Sequence, residues 1–331
     1  MKKTAASSEK ILRGDTTMTD ITAIGEILID LTQCAVSHQG IPQFSANPGG
    51  APANLAVAAA RLGASAAFIG KVGRDSFGSF LRDTLAENGV DVSGLAVDHR
   101  YPTTLAVVAL DSAGERTFSF YRSPSADVAL ETGDISLEML ENSRFLHFGS
   151  VSLTAEPARS ATLFAAEYAK KQGALISYDP NYRPSLWPSQ NTAVEQMRAP
   201  LPLVDVLKVS DEELPLLTGT AELESGTALL AEMGIRLVLV TLGPRGAFYR
   251  FAGQTGYVPG VPCTVGDTNG AGDTFFGALL AQLARSPSLE GLAPAALERM
   301  IFFANRAASI TTSRHGAIPA MPAYGEVFGE N

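Results

Sequence analysis

The chain has 331 residues, 46% of them hydrophobic, which suits one large α/β domain or two smaller ones with a sizeable core. A net charge of −9 with no Lys/Arg cluster argues against nucleic acid or an anionic membrane surface as partner. No run reaches the roughly 18 apolar residues of a membrane span, and Cys34, Cys263 and the four scattered histidines form neither a CxxC nor an HExxH pattern. Free thiols in a reducing cytoplasm are expected, and a zinc enzyme is not.

Residues 1–19 are polar, lack the apolar segment of a secretion signal and read as a disordered extension ahead of a folded domain over 20–331. The apolar run at 21–29 predicts the first strand. An Ala-rich helix follows at 52–62, opening on Pro52 and stopping at Gly63. Residues 66–73 read as a strand, and Asp75 caps a helix running to about Asn88 with Gly89 as its stop. The rhythm breaks at 31–46 and at 102–123, where two alternating runs flank an Asp111-Ser112-Ala113-Gly114 turn, a β-hairpin pattern. Strand-like runs return at 145–148, 174–179, 204–209 and 236–242, and helices close the chain at about 271–285 and 294–313. This alternation predicts a mainly parallel sheet with helices on both faces, a three-layer αβα sandwich, and the two β excursions predict a small lid over one edge.

The strongest chemical signal is the run from Val265 to Leu279, in which Gly270, Ala271 and Gly272 feed into an amphipathic helix. Such small residues let an anion approach the backbone N–H groups at the positive end of a helix dipole, which suits a phosphate. Asp273 falls in the first helical turn beside that anion. The same residues also suit an ordinary helix start, where an acidic side chain is favoured by the dipole. Neither a Walker A loop nor a GxGxxG fingerprint is present, yet a carboxylate beside an anion cradle fits phosphoryl transfer to a hydroxyl.

This GAGD run resembles the second signature of the ribokinase/PfkB family of sugar kinases. The first signature is similar to GGAPANLAVAAARLG (49–63) followed by FIGKVGRDSFG (68–78), and the resemblance covers about residues 20–320. It implies a ribokinase-like fold, ATP and Mg²⁺ as cofactors, Asp273 as the proton acceptor and Gly270, Ala271 and Gly272 as the anion hole. By the same resemblance, Asp30, at the end of the first strand, binds sugar hydroxyls, and Gly49, Gly50 and Asn54 form the sugar-contacting loop. A strand-end turn and a helix start would explain Asp30 and the glycines as well, though not an Asn inside an Ala-rich apolar helix. Thr241, Gly243 and Gly246 match a nucleotide loop. Ser210 stands where the family has Asn in its NxxE motif, whose Glu is Glu213 here and acts on Mg²⁺ indirectly. Asn305 matches a nucleotide neighbour. Asp267, Asn269, Thr311, Arg314 and Gly316 match a monovalent-cation site that would hold K⁺, with Asn269 where the family often has Thr.

Within the family, the stretches at 117–130, 146–153 and 177–189 are most similar to bacterial and plant fructokinases. The resemblance places Phe120 and Arg122 near the sugar, gives Arg183 either a substrate contact or a buried ion pair, and leaves Trp187 to core packing. A kinase for 2-keto-3-deoxygluconate shares the YR and DPNxR features. A nucleoside kinase of the same fold and a sugar-binding sensor without catalysis complete the alternatives. A homodimer joined through the lid is the expected assembly.

Overall fold

In the computed structural model, which describes residues 18–110 and 116–329, the apolar run at 21–29 does not form one strand. β1 (Thr19–Ile24) ends at Gly25, whose φ of +149° turns the chain, and β2 (Leu28–Val36) starts a different sheet. A Cβ on Gly25 would lie 2.8 Å from Pro52 Cγ, so a side chain there would collide with the next helix. Asp30 therefore stands within the second strand rather than at the end of the first.

β2 pairs antiparallel with β3 (Pro42–Gly49), and the chain then enters α1 (Ala51–Arg61), β4 (Ala66–Gly73) and α2 (Ser76–Glu87). Asp75 caps α2 as expected, accepting a 2.8 Å hydrogen bond from Gly78 N. Short strands β5 (Val90–Asp91) and β6 (Leu95–Asp98) lead to the hairpin of β7 (Leu105–Leu110) and β8 (Arg116–Tyr121). Its expected turn at 111–114 lies outside the described residues, as does the extension up to residue 17. These excursions join into one four-stranded sheet, ordered β3-β2-β7-β8, with β2 and β7 parallel.

The wound part continues with α3 (Leu137–Glu141), β9 (Ser143–Gly149), α4 (Ala158–Lys171), β10 (Leu175–Asp179), α5 (Gln190–Arg198) and β11 (Val206–Ser210). Next come α6 (Leu214–Thr218), α7 (Leu223–Glu232) and β12 (Leu237–Thr241). The hairpin of β13 (Gly246–Phe251) and β14 (Gln254–Pro259) adds an antiparallel edge that the sequence pattern did not predict. α8 (Ala271–Leu283), α9 (Pro294–Thr312) and α10 (Tyr324–Phe328) close the chain.

The main sheet runs β14-β13-β12-β11-β10-β9-β1-β4-β5, with β6 also paired to β4 and every pair from β12 to β5 parallel. Side chains alternate between its two faces. Val238 and Val240 join the apolar layer of α3 to α7, while Leu237 and Leu239 join that of α1, α8 and α9. Both faces are covered, so the strands are apolar almost throughout, and Trp187 packs in the first of these layers. β1 has β4 on one side and β9 on the other, so the connections leaving these strands diverge. That reversal opens a crevice at the carboxyl ends of the parallel strands, where open α/β sheets bind ligands. Among the described residues, no helix is long and apolar enough to cross a membrane.

Candidate active site

Two adjoining cavities fill that crevice. The first, about 380 Å³, is lined by Glu26 from the end of β1, Asp30 from β2, Asn54 from α1 and Asp273 from α8, with Val108 and Phe120 of the small sheet above. The second, about 370 Å³, is lined by Lys208 and Ser210 of β11, by Glu212 and by Glu213. Asn181, Arg183 and Pro184 line both, so the loop after β10 forms their shared wall.

Asp273 reaches the first cavity where α1 and α8 pack closely. A Cβ on Gly277 would come within 2.7 Å of Leu55 O, so only a residue without a side chain permits this approach. It brings Asn54, buried on α1, to donate a 2.8 Å hydrogen bond from Nδ2 to Asp273 Oδ2. Asn181 Nδ2 lies 3.5 Å from the other oxygen, presented by a left-handed backbone at φ +46°. Burial raises the Asp273 pKa, against the Asn54 hydrogen bond and the charges of Lys208 and Arg183. The carboxylate thus becomes a better base than an exposed Asp while still being held in its charged form.

Gly270, which lines the first cavity, precedes α8 in a left-handed conformation, φ +73°, and Ala271 and Gly272 open the helix at the positive end of its dipole. On the sugar side, Gly49 backs directly onto the Asp30 carboxylate, and Gly50 starts α1 with φ +108°. Asp30 is pushed up to about 6 by burial first, opposed by Arg183 and reinforced by Asp273 and Asp267. Glu26 rises further, to about 7, chiefly through burial. Its Oε1 accepts from Ala51 N at 3.1 Å at the start of α1, and its Oε2 is buried with no hydrogen-bond partner.

Arg122 does not take the place expected of it. Arg122 is buried at the foot of β8, where Nε donates to Asp127 Oδ2 at 2.7 Å and Nη2 to Val151 O at 3.0 Å. Its guanidinium also donates to Thr154 Oγ1, at 2.5 Å, and is committed to this network rather than to the sugar-side cavity. Arg183 instead stands in the wall between the two cavities.

On the second side, both oxygens of Glu213 accept main-chain N–H groups, Tyr182 at 2.7 Å and Ser210 at 2.8 Å. Ser210, where an Asn was expected, accepts from Glu213 N at 3.2 Å and so serves the start of the following turn. Thr241 Oγ1 donates back to Val209 O, and Gly243 and Gly246 shape the β12–β13 connection with positive φ. Asn305 donates to the carbonyls of Val258 and Pro259, pinning the end of β14. The loop carrying Asp267 and Asn269 joins the end of α9 through Thr312 O, and Asp267 Oδ2 accepts from Gly316 N at 3.3 Å. The Thr311 hydroxyl is committed to Thr274, and the Arg314 side chain turns to Ala320 O and Glu326, so neither side chain is directed at this loop.

Glu26, Asp179, Asn181 and Lys208 were not singled out from sequence. The signal available for Lys208 was a Lys within an otherwise apolar strand, and for Glu26 an acid just after one. Cys34 and Cys263 are both free and exposed.

A buried carboxylate at a helix N-terminus, in a cavity whose wall is shared with a second one lined by a lysine, suits a phosphotransferase with an alcohol acceptor. The chain belongs to the pfkB family of carbohydrate kinases, whose family model matches residues 18–323. It is 45% identical over 311 residues to probable fructokinase-4 of Arabidopsis thaliana, covering 93% of this chain and 95% of that protein. The fructokinase of Xylella fastidiosa with bound ATP superposes with a TM-score of 0.87 at 34% identity, over 95% of this chain and 98% of the other. A double mutant of the Vibrio cholerae O395 fructokinase, bound to fructose, ADP and a potassium ion, gives 0.85 at 36% identity, over 96% and 99%. The enzyme is a carbohydrate kinase, a phosphotransferase with a sugar hydroxyl as acceptor.

Proposed function

We propose that the protein is an ATP-dependent fructokinase, with Asp273 as the base and the α8 N-terminus as the anion hole. One observation carries this reading: the Asp273 carboxylate lines the first cavity at the start of α8 and is met by Asn181, whose loop is the wall shared with the second cavity. The fructose 6-hydroxyl oxygen attacks the γ-phosphorus, an O–P bond forms, and the bond from that phosphorus to the β-bridging oxygen breaks. The hydroxyl proton passes to Asp273 and ADP leaves. Asn54 and Asn181 hold the carboxylate toward the acceptor, and the N–H groups of Gly270 to Gly272 oppose charge on the transferring group. Glu26, Asp30 and Gly50 bind the sugar, and Phe120 and Val108 make the small sheet a lid that keeps out water.

Mg²⁺, when bound, neutralises the nucleotide phosphates. Both oxygens of Glu213 are already occupied by N–H groups, which fits a contact to the ion through water. Asp267, Asn269, Thr311, Arg314 and Gly316 would hold K⁺ where the Asp267 loop meets the end of α9, beside the loop that presents the anion hole. Thr241, Gly243, Gly246 and Asn305 are proposed to border the adenosine. Exposed Val36, Ile41, Phe44 and Tyr121 on the small sheet support a homodimer joined there.

A neutral sugar fits better than a sugar acid. Three carboxylates, Glu26, Asp30 and Asp273, line the first cavity with one arginine, because Arg122 is bound to Asp127. ADP release measured across fructose, 2-keto-3-deoxygluconate and adenosine, with and without K⁺, tests the assignment. Turnover on fructose at least tenfold above the others is expected, and preference for the acid or the nucleoside refutes it.

A further inference from the structure

We propose that Lys208 is the fixed cation of the transfer site, a buried ammonium beneath the anion hole that opposes negative charge on the γ-phosphoryl group. The inference deepens the kinase reading and rests on it. Lys208 occupies a central strand between Leu207 and Val209, both fully buried, where parallel sheets ordinarily carry apolar residues. Placing an ammonium there costs several kcal/mol before any partner is counted, and a buried pair seldom stabilises a fold more than well-packed apolar residues would. The charge therefore calls for a reason beyond stability.

Its position supplies one. Nζ lies 2.7 Å from Asp179 Oδ2 on the neighbouring strand. It also lies 3.1 Å from where a Cβ on Gly272 would stand, so the ammonium sits against the first turn of α8 and a side chain there would crowd it. The same Lys208 lines the phosphate-side cavity with Ser210, Glu213 and Arg183. The first turn of α8 at Gly272 thus has a full positive charge behind it, added to the partial charge of the helix end. Asp179 holds the ammonium in place and does not itself line the cavity.

The surrounding charges favour the ammonium. Burial lowers the Lys208 pKa, but Asp179, Glu213 and Asp273 outweigh it, and the net direction is upward. Around Asp273, Lys208 from β11 and Arg183 from the loop after β10 favour the carboxylate. Asp30 from β2 and Asp179 from β10 interact with it as like charges. Removing Lys208 alone leaves Arg183 as the one cation acting on the base.

Two variants remove the charge in different ways. Lys208→Gln keeps a donor for Asp179, and Lys208→Met with Asp179→Asn removes the whole pair. Asp179→Asn alone, which keeps the ammonium and the Oδ1 that accepts from Asn181 N, is the reference. Both charge-removing variants should lose about a hundredfold in kcat relative to Asp179→Asn, as for other anion-hole donors. The KM for fructose should stay within about threefold, and in Lys208→Gln the acid limb of the kcat profile should move to higher pH. Turnover within threefold of the reference in either folded variant overturns the proposal, and so does failure of both to fold, which would assign the pair to the structure. A wild-type protein without fructose-dependent ADP release would instead overturn the kinase reading itself.

Discussion

Glu26→Gln should flatten part of the pH dependence of stability, and the structure sets the size of the effect. Burial moves the Glu26 pKa from 4.5 to about 7. The folded state therefore holds a proton that the unfolded chain releases, and stability from this group is present below pH 4.5 and lost as pH rises through about 7. The difference of two and a half pKa units, at 1.36 kcal/mol each, amounts to about 3 kcal/mol. Against a typical total of roughly 5–15 kcal/mol this is a visible share. Glutamine keeps the acceptor for Ala51 N but cannot ionise, so its own absolute stability matters less than its slope. Denaturant unfolding at pH 4.5, 6 and 8 should show the wild type losing about 3 kcal/mol relative to Glu26→Gln across the range. Asp30 and Asp179 contribute equally to both proteins and cancel in the comparison. Parallel stability curves would refute the claim that the carboxyl is buried in this environment.

Asp273→Ala should fold and bind both substrates but lose at least about a hundredfold in kcat, and near-normal turnover would remove it from the mechanism. Asn54→Ala removes a hydrogen bond to a charged group worth about 1.5–3 kcal/mol, so kcat should fall roughly 10- to 150-fold. Because that bond lowers the Asp273 pKa, the acid limb of the rate profile should also move up, and an unmoved limb would mean that Asp273 is not the titrating base. Asp30 stands at about 6 without a sugar; hydroxyl donors favour its ionised form, so the KM for fructose should rise as pH falls below that value. A KM constant from pH 5 to 8 would show that Asp30 does not accept from the sugar.

Local signals made much of this arrangement legible. Asp75 capping α2, the glycine stops at 63 and 89 and the small-residue entry to α8 act within a few residues, and the structure places each as read. The split at Gly25 was hidden because both halves of 21–29 are apolar and the run shows no turn residue other than one glycine. The β13–β14 hairpin was missed for a similar reason, since its pairing depends on an exposed sheet edge rather than on a strong turn sequence. Arg122 was misplaced because sequence adjacency to a lid strand says nothing about Asp127 five residues on, which claims the guanidinium first. Lys208 and Asp179 lie 29 positions apart and meet only because β10 and β11 are neighbours, information that exists in the topology alone.

The buried acids explain why the site is costly for the fold and still coherent. Glu26, Asp30, Asp179 and Asp273 all have raised pKa values, and for each the first cause is burial. Such a cluster is held by the α1 and α8 helix ends, by two cations and by the sheet, none of which satisfies every oxygen: Glu26 Oε2 and Asn54 Oδ1 remain buried without partners. A ligand rich in hydroxyl donors would supply what the protein lacks on the sugar side, while the phosphate side already carries the positive charge that a polyanion needs. The two halves therefore differ in charge: three carboxylates line the first cavity, whereas Lys208 and Arg183 line the second beside Glu212 and Glu213. That difference orders the two substrates about the loop after β10 before any contact is optimised, and it is set by charges on β2, β11, α8 and that loop, which the fold brings together.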